Sequence, residues 1–380
     1  MCNKQCTKVA IVTNVIPSYR RDFYDRIFAN REVDVTVYCQ ERIPGMNLAT
    51  IRGRWENEVI YLNAYSMKKE RLVWQALPIK KLYSSYDVVI FYGNPRIVSS
   101  VIYATLLKLL GRKVVIWGQV HTARANKYTE RIRLTWWRMF KYFFVYNDHE
   151  IDKLKSKGFS NKIIVAMNNG LDQGEIDRVI LNWNTERLDN WRRKAGIHEK
   201  VVMLSCARLE EKNRFDMVVR AMPRLISRIP NIVWCVIGDG PEANSLKALA
   251  KRVGVDEKIV WCGEIYEEEE LAPWFLSSAF YVHPAGIGLS VMHAFGYGLP
   301  VIADDNVLNH MPEYFSLKPE VNGVLFRSGD ISDLVEKVMS LVGDVTVQEE
   351  MKENAFDEAR MRCNTSVMAN RFFDLIARIA

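Results

Sequence analysis

Short runs of apolar residues alternate along the first half of the chain with longer segments of helical periodicity. Val9–Val12, Asp87–Phe91 and Lys113–Trp117 are rich in valine and isoleucine, which is typical of strands buried on both faces of a parallel sheet. Val33–Val37 alternates apolar and polar residues, as a further strand should. A helical pattern lies between Ile97 and Leu110. Together these patterns predict a parallel sheet covered by helices on both faces.

The alternation starts again in the second half, after a polar stretch that reaches to about Lys200. The predicted strands there are Val201–Ser205, Ile232–Ile237, Ile259–Cys262, Phe280–Val282, Val301–Ala303 and Gly323–Phe326. A chain of 380 residues exceeds what one hydrophobic core usually supports. We therefore predict two doubly wound α/β domains, residues 1–170 and 171–364, with a ligand site in a cleft between them, at the carboxyl ends of the strands.

The composition narrows the class of protein. Basic residues exceed acidic ones by 52 to 45, a net charge of +7, which fits an anionic substrate or an anionic membrane surface. The seven cysteines form no C-x-x-C pair, so we expect no zinc site or disulfide framework and a reducing, cytoplasmic setting. The sequence shows no metal-ligand spacing and no known nucleic-acid module, and we expect neither a metal nor nucleic acid. The apolar region Val88–Leu110 is broken by Gly93–Arg96 and predicts a strand and a helix rather than a membrane span.

A glycine loop between two strands is the most prominent motif. Phe280–Val282 predicts a strand, Gly286 and Gly288 open a turn, and Leu289–Phe295 follows with a helical pattern. The N–H groups of such a loop and of the helix start suit an anionic ligand such as a diphosphate. A tight strand–helix turn packed only for shape is the alternative.

Cations and glycines follow other predicted strands of the same half. Arg208 and Lys212 come after Val201–Ser205 and can bind one anion together, although two solvated surface cations are the alternative. Gly238 follows the next strand and Gly263 the one after that. Because the carboxyl ends of parallel strands meet at one edge of a sheet, these positions converge, and their convergence favours an anion site.

The order of these motifs resembles the family 4 glycosyltransferases. The resemblance rests on Arg208-x-x-x-Lys212, Gly238-Asp239-Gly240-Pro241-Glu242, Gly263, Gly286-x-Gly288-Leu289, Gly298-Leu299-Pro300, Pro312-Glu313 and Asn322-Gly323, with Asn169-Gly170-Leu171-Asp172 as an interdomain segment. It implies the GT-B fold, with two Rossmann-like domains facing a central cleft, and a retaining, metal-independent enzyme that uses a nucleotide-diphosphate sugar. The N-terminal domain, joined by a final helix over residues 365–380, would bind the acceptor, and the C-terminal domain the donor.

The resemblance also implies roles for single residues of the donor site. Arg208 and Lys212 would neutralise the donor diphosphate as its leaving charge develops. The other donor-binding positions that it implies are Gly238, Glu264, Ile265, Gly286, Gly288, Leu289, Ser290 and His293. Among these, the backbone N–H groups near Ser290 would hold phosphate, and Glu264 and Ile265 would meet the base, for which we expect uridine.

Three further residues are implied outside the C-terminal domain. His121 follows the strand Lys113–Trp117 and matches a family histidine near the transferred sugar, with a structural histidine as the alternative. Tyr19 and Arg20 stand where related transferases have a Pro-x-Tyr-Arg segment, and they would face the acceptor. Arg20 would meet a lipid-linked diphosphate, unless it is only a surface cation at a helix start.

Two glutamates of the family pattern are replaced in this chain, by Ala285 and His293. The first glutamate usually contacts the donor sugar and the second the ribose hydroxyls; alanine cannot make its contact, whereas His293 can still hydrogen-bond a hydroxyl. The loss leaves room for a catalytically silent binding or scaffold subunit of a polysaccharide assembly complex. A non-hydrolysing nucleotide-sugar epimerase is another alternative, and it would need carboxylates in the cleft. The acidic run Glu267–Glu270 predicts a solvated helix start instead.

Residues 128–145 bear on location. Their aromatic and apolar residues, among them Ile132 and Trp136, share one face of a predicted helix with arginines away from it, which is typical of a helix at an anionic membrane surface. A core helix of the first domain is the alternative.

We thus predict a glycosyltransferase that moves a sugar, from UDP as the expected carrier, to a glycan or polyprenyl-diphosphate-linked acceptor. It would serve cell-surface polysaccharide or lipopolysaccharide synthesis at the inner face of the plasma membrane.

Overall fold

The computed structural model describes residues 6–43, 49–67, 72–120 and 127–380. The strands are β1 Thr7–Val12, β2 Val33–Cys39, β3 Val59–Tyr61, β4 Ala64–Met67, β5 Leu72–Gln75, β6 Val88–Tyr92, β7 Lys113–Trp117, β8 Tyr142–Val145, β9 Ile163–Ala166, β10 Val201–Cys206, β11 Ile232–Ile237, β12 Ile259–Gly263, β13 Phe280–Val282, β14 Val301–Asp304 and β15 Gly323–Phe326. The helices are α1 Arg21–Phe28, α2 Ile79–Ser84, α3 Val98–Leu109, α4 Lys127–Trp137, α5 Asp148–Leu154, α6 Gln173–Ile180, α7 Thr185–Lys194, α8 Phe215–Arg228, α9 Ala243–Arg252, α10 Glu268–Leu276, α11 Ser290–Gly296, α12 Ile331–Gly343, α13 Val345–Met361 and α14 Thr365–Ile379.

The chain divides into two compact units. The described parts of unit 1 are residues 6–43, 49–67, 72–120, 127–169 and 365–380, and the described part of unit 2 is Gly170–Asn364. Each unit has its own parallel sheet with helices packed on both of its faces. The predicted α/β class with two doubly wound sheets is therefore confirmed.

The two sheets share one topology. Within the described residues, the sheet of unit 1 has the order β3-β2-β1-β6-β7-β8-β9, and that of unit 2 has the order β12-β11-β10-β13-β14-β15. In both sheets the first strand of the unit lies in the interior of the sheet. The strands that follow it in the chain are added on one side of it first, and the later strands are added on the other side. The order reverses beside β1 in unit 1 and beside β10 in unit 2, and such switch points are where open α/β sheets bind ligands.

Burial explains why these segments become strands. Every residue of β11 is buried, as are four of the six residues of β1 and four of the five residues of β6, because helices cover both faces of a parallel sheet. In unit 1 the C-terminal helix α14 supplies part of that cover: its Phe372 ring stacks on Phe144 of β8, with 5.7 Å between ring centroids. The last residues of the chain thus complete the core of unit 1.

Two parts of the chain form regular structure that the sequence patterns did not predict. The polar stretch before Lys200 contains α6 and α7, which begin at capping side chains: Asp172 accepts from the Glu175 N–H, and Asn184 accepts from the Arg187 N–H. The pair β4–β5 forms a small antiparallel sheet. Both were missed because short capped helices and hairpin strands carry little hydrophobic periodicity.

The helical face predicted over residues 128–145 forms a helix only as far as Trp137, whereas the β-rich run near Tyr142–Tyr146 is a strand. The helix α4 ends at Trp137, and Tyr142–Val145 forms strand β8 in the sheet. Trp136 and Trp137 are buried, at 8% and 0% exposure, so they belong to the core and not to a membrane interface. Trp137 donates to the Gly93 carbonyl at 3.2 Å. Among the described helices, none is long and apolar enough to cross a bilayer.

The burial of Trp137 gives a prediction about stability. We expect Trp137→Ala to lower the free energy of unfolding by about 3–5 kcal/mol, because it empties a ring-sized space that the core cannot refill. Ile132 lies on the same helix and is 63% exposed, so Ile132→Ala should change this free energy by less than about 0.5 kcal/mol. Urea denaturation followed by tryptophan fluorescence and circular dichroism measures both. Equal, small effects of the two substitutions would contradict the core position of Trp137.

Candidate functional site

The candidate site lies at the switch point of unit 2. Strands β10 and β13 are parallel neighbours, and their partners on the outer sides are β11 and β14. The loops that leave their carboxyl ends therefore run to opposite sides and leave a crevice, as in other open α/β sheets. Residues 207–214 form the first loop and residues 283–289 the second.

Arg208 and Lys212 meet on one carboxylate in the first loop. Arg208 Nε lies 3.3 Å from one oxygen of Glu210, and Lys212 Nζ lies 2.5 Å from the other. Both cations are more than half exposed, at 63% and 56% of their side chains. The two charges can therefore address one anion, and Glu210 holds them where a diphosphate could replace it. Glu210 was not singled out in the sequence, since a glutamate between two cations carries no signal of its own.

Asn213 joins this loop to the glycine loop. Its side-chain nitrogen donates to the Arg208 carbonyl at 2.7 Å, and its backbone carbonyl accepts from the Ala285 N–H at 3.2 Å. Gly286 has φ +72°, and a side chain there would clash with the Asn213 side chain. Only glycine meets both demands. Gly238, with φ +130°, likewise leaves no room for a side chain beside the Ala207 carbonyl, so its part is to let two strand-end loops approach closely.

His283 lies directly beneath the glycine loop. It is 2% exposed, and its Nδ1 lies 3.3 Å from the Ser290 hydroxyl and 3.5 Å from the Tyr281 hydroxyl. Burial lowers its pKa to about 3, helped by the neighbouring His310 and Lys212. The ring is thus neutral at neutral pH. Among the described residues its buried Nε2 has no hydrogen-bond partner, and the same holds for Asn213 Oδ1. Buried polar atoms are normally paired, so these two mark where a bound group would complete the site.

The remaining glycine-loop residues lead into α11. The helix starts at Ser290, directly after Leu289. Gly288 has no left-handed φ, and a Cβ there would lie 3.3 Å from the Met311 side chain, so a larger residue would displace Met311 only slightly.

After β12, Tyr266 hydrogen-bonds Glu264, which raises the tyrosine pKa, while nearby Arg208 lowers it. Glu264 and Ile265 therefore lie on the loop that borders the cation loop. Ile265 is partly buried against the core of unit 2.

His293 pairs with a glutamate on a different helix. Its Nε2 lies 2.9 Å from Glu268 Oε1, and the Tyr297 hydroxyl donates to the same oxygen. Burial alone would raise the pKa of Glu268, but the hydrogen bonds from His293 and Tyr297 outweigh it and hold that pKa below its usual value. The Glu268 carboxylate is thus charged. It lies near Cys206 at the end of β10, whose pKa is raised mainly by burial and further by this negative charge.

The prediction that Glu267–Glu270 is a solvated helix start is wrong for Glu268, which is only 16% exposed. The run does begin α10, and its other members are exposed. Glu268 is three, four and seven residues before Leu271, Ala272 and Phe275, which are buried. That helical spacing places it on the inward face, and it is the signal that identifies this residue.

A second buried carboxylate supports the glycine loop from below. Asp304 accepts hydrogen bonds from His310 Nε2 at 2.6 Å and from the Ser328 hydroxyl at 2.7 Å. The other nitrogen of His310 accepts from the Ile287 N–H at 3.3 Å, and its ring stacks on Tyr314 with centroids 4.2 Å apart. The strand-end aspartate therefore fixes the loop through a histidine. Within the described residues no group of three or more His, Cys, Asp or Glu side chains is arranged to hold a metal ion.

The other predicted site residues belong to unit 1. Tyr19 and Arg20 lie in a short 3-10 turn directly before α1. The Arg20 guanidinium lies 5.5 Å from the Tyr19 ring centroid and 3.1 Å from the sulfur of Met368 on α14. Arg20 is therefore partly held within its unit and not a freely solvated cation. His121 lies outside the described residues.

Residues 188–358 match the family model described as glycosyl transferases group 1. The matched segment contains both loops of the site and the Glu268–His293 pair. Residues 188–358 form a group 1 glycosyltransferase domain. The family 4 glycosyltransferase resemblance seen in the sequence is thereby confirmed.

Known relatives and solved structures agree with this assignment. The chain is 28% identical over 121 residues to a GDP-mannose-dependent alpha-(1-6)-phosphatidylinositol monomannoside mannosyltransferase of Mycolicibacterium smegmatis, covering 30% of this chain and 32% of that protein. It is 26% identical over 132 residues to a lipopolysaccharide 1,6-galactosyltransferase of Escherichia coli, covering 32% and 35%. The chain thus spans about a third of the length of these curated relatives.

The fold of the whole chain is that of a solved structure. The crystal structure of Anabaena HepE in complex with UDP superimposes with a TM-score of 0.70 at 13% identity, over 98% of this chain and 100% of that one. The predicted GT-B fold is confirmed.

The buried, neutral His283 of the glycosyltransferase domain gives a prediction about pH. In the unfolded chain this histidine takes up a proton below about pH 6.5, whereas in the folded protein it does so only near pH 3. Above about pH 6.5 the histidine is neutral in both states, so its contribution to the free energy of unfolding is complete there. As the pH falls below this value, the unfolded chain takes up a proton that the folded protein does not, and the free energy of unfolding decreases by about 1.4 kcal/mol per pH unit. We expect the free energy of unfolding of His283→Gln to fall less steeply between about pH 6 and about pH 4.5 than that of the wild type. Parallel slopes in urea titrations would contradict this role.

Proposed function

We propose that the protein is a retaining, metal-independent glycosyltransferase. It moves a sugar from a nucleotide-diphosphate sugar to a glycan or a lipid-linked glycan. The observation that carries the proposal is the meeting of Arg208 and Lys212 on Glu210, beside the glycine loop and at the switch point of the sheet. A diphosphate placed there would take over both cations.

The chemistry that this arrangement supports is electrostatic. When the bond between the sugar and the diphosphate breaks, negative charge develops on the leaving phosphate. A guanidinium and an ammonium held in place stabilise that charge more in the transition state than in the ground state. The Ser290 hydroxyl and the N–H groups after Gly286 would hold the second phosphate. Neutral His283 would fix Ser290 at pH values well above 3, since burial lowers its pKa to about 3.

The other proposed roles follow the family resemblance. Glu264 and Ile265 would meet the base, and His121 would lie near the transferred sugar. Tyr19 and Arg20, in unit 1, would bind the acceptor, so unit 1 is proposed as the acceptor domain and unit 2 as the donor domain. Gly238, Gly288 and Leu289 would shape the donor site through the backbone.

We propose that Glu268 and His293 together replace the missing family glutamate. Position 293 has no carboxylate, but Glu268 places one 2.9 Å from the imidazole. A charged carboxylate and an imidazole are strong hydrogen-bond partners for a pair of hydroxyl groups. The pair would bind the ribose of the donor.

A uridine nucleotide is proposed as the donor carrier, supported by the UDP in the HepE structure; a GDP-mannose-dependent relative makes guanosine the rival. The acceptor is proposed to be a glycan or polyprenyl-diphosphate-linked glycan of the cell surface, handled at the cytoplasmic face of the plasma membrane. Support comes from relatives named for lipopolysaccharide and phosphatidylinositol mannoside substrates.

A catalytically silent scaffold is the second candidate, favoured by one observation. Ala285 is 2% exposed and stands where the family has a sugar-binding glutamate. Such a subunit would bind the nucleotide and turn nothing over. A nucleotide-sugar epimerase, the third candidate in the sequence, gains no particular support.

The donor site is tested by thermal stabilisation with UDP, GDP, dTDP and CDP in the absence of metal. We expect one nucleotide, UDP, to raise the melting temperature, since a ligand of the native state at a hundredfold excess over its Kd adds about 2.7 kcal/mol. Arg208→Ala and Lys212→Ala should each weaken binding by about 10–100-fold, because each removes a charge-assisted contact. Arg252→Ala, an exposed cation on α9 of the same unit, is the matched control.

Two results would count against the proposal. If no nucleotide stabilises the wild type, or if Arg208→Ala and Lys212→Ala bind as the control does, the site is misplaced. Slow hydrolysis of UDP-sugars in the absence of acceptor separates an enzyme from a scaffold, because a scaffold would bind without release of UDP. Glu210→Gln should tighten UDP binding in either case, since it removes the carboxylate that competes for the two cations.

The ribose role of Glu268 has its own test. We expect Glu268→Gln to weaken UDP binding by about tenfold or more, and to bind UDP and 2′-deoxy-UDP nearly equally, whereas the wild type should prefer UDP. Glu269→Gln is the control, because Glu269 is next on the same helix and 53% exposed. If Glu268→Gln keeps the full preference for UDP over 2′-deoxy-UDP, Glu268 serves only the fold.

A further inference from the structure

Helix α3 is apolar on two opposite faces. Its inner face, with Ala104 and Leu107, is fully buried against the sheet of unit 1. Its outer face carries Ile102, Leu106 and Leu109, which follow one another at spacings of four and three residues and are 46%, 41% and 74% exposed. Leu110, just after the helix, is 51% exposed. A surface helix normally has polar residues on its outer side, so this stripe of four aliphatic residues requires a partner.

Aromatic and basic residues continue the surface beyond the end of α3. Arg112 donates to the Tyr86 carbonyl, and its guanidinium lies 5.5 Å from the ring centroid of Tyr83 on α2. Tyr83 is 44% exposed. Lys108, on α3 itself, and Lys80, on α2, are exposed as well. We call these residues, with the four aliphatic ones, the α3 surface.

The charge of this part of the chain has one sign. Residues 71–129 contain nine Lys and Arg residues and a single acidic residue, Asp87, a net charge of +8 against +7 for the whole chain. Asp87 accepts a hydrogen bond from the Lys8 N–H. The stripe of aliphatic side chains therefore belongs to a segment with exposed lysines, Lys80 and Lys108, and few acidic residues. This pattern favours a partner that is both apolar and anionic.

The neighbouring helix α4 is connected to α3 by a hydrogen bond from Trp136 Nε1 to the Thr105 hydroxyl, at 3.2 Å. The tryptophans of α4 are buried, as described above. The tryptophans that pointed to a membrane in the sequence are thus core residues, and it is α3 that presents apolar side chains outward.

We propose that the α3 surface docks on an anionic lipid bilayer, with the leucines in the headgroup boundary and the cations among the phosphates. At 12 residues, α3 is about 18 Å long, too short to span the roughly 30 Å of a hydrocarbon core, so it would lie in the plane of the surface. Apolar burial combined with attraction of cations to anionic lipid is how such helices bind. This docking is independent of the proposed sugar transfer.

The test is co-sedimentation of the full chain with vesicles of phosphatidylcholine alone and of equimolar phosphatidylcholine and phosphatidylglycerol. We expect binding to the anionic vesicles that weakens with salt, and little binding to the neutral ones. The double variant Leu109→Ser with Leu110→Ser should lower the partition coefficient by about tenfold or more, since each leucine side chain loses apolar burial. Lys80→Glu with Lys108→Glu should lower it on the anionic vesicles and reduce the salt dependence.

The matched control is Leu181→Ser with Val345→Ser, two residues of unit 2 that are 86% and 68% exposed; it should bind vesicles as the wild type does. Nucleotide stabilisation should be unchanged in all these variants, which separates a failure of docking from a failure of the donor site. Equal vesicle binding by the leucine variant and the control would overturn the proposal. So would a wild-type dimer in light scattering that becomes monomeric in the leucine variant, because the surface would then be an interface between copies of the chain.

Discussion

The candidate site depends on one short connection, the contacts of Asn213. Its side chain holds the Arg208 carbonyl, its backbone carbonyl holds the Ala285 N–H, and the space beside it admits only glycine at position 286. The loop that carries the cations and the loop that offers N–H groups are thereby kept at a set separation. If the two loops moved independently, phosphate binding would have to fix both of them in place, at a cost in conformational entropy. A pre-organised pair avoids that cost, and pre-organisation is what electrostatic stabilisation of a leaving group requires.

The sequence was sufficient for the fold because the signals of a parallel sheet are local. Continuous apolar strands such as Ile232–Ile237 and helices with a clear apolar stripe can be recognised one at a time, and the doubly wound topology follows from their alternation. The short helices α6 and α7 at the start of unit 2 were missed, since Asp172 and Asn184 stabilise their starts through capping and not through apolar periodicity. Strand–helix alternation thus predicts the layers of the fold but not the connections.

For the site, the sequence predicted positions more readily than partners. Arg208 and Lys212 could be placed near each other from strand ends alone, but their common carboxylate, Glu210, could not be inferred, because the turn that brings it between them is a property of three dimensions. The same is true of Glu268 and His293, which are 25 residues apart. Sequence comparison at position 293 suggests a lost carboxylate. The structure shows a carboxylate reaching the same imidazole from the preceding helix, so a carboxylate can lie beside position 293 although the motif along the chain lacks one.

Charge and burial together decide how such a replacement can work. A buried carboxylate would normally be pushed toward its neutral form, since desolvation raises its pKa. For Glu268 the hydrogen bonds from His293 and Tyr297 reverse that effect and lower its pKa. The histidine that stands in place of a glutamate at position 293 thus helps to keep the neighbouring carboxylate of Glu268 charged. A glutamate at position 293 beside Glu268 would instead place two like charges together, and one of them would have to be neutralised. The histidine is therefore compatible with a charged Glu268 in a way that a glutamate at position 293 would not be.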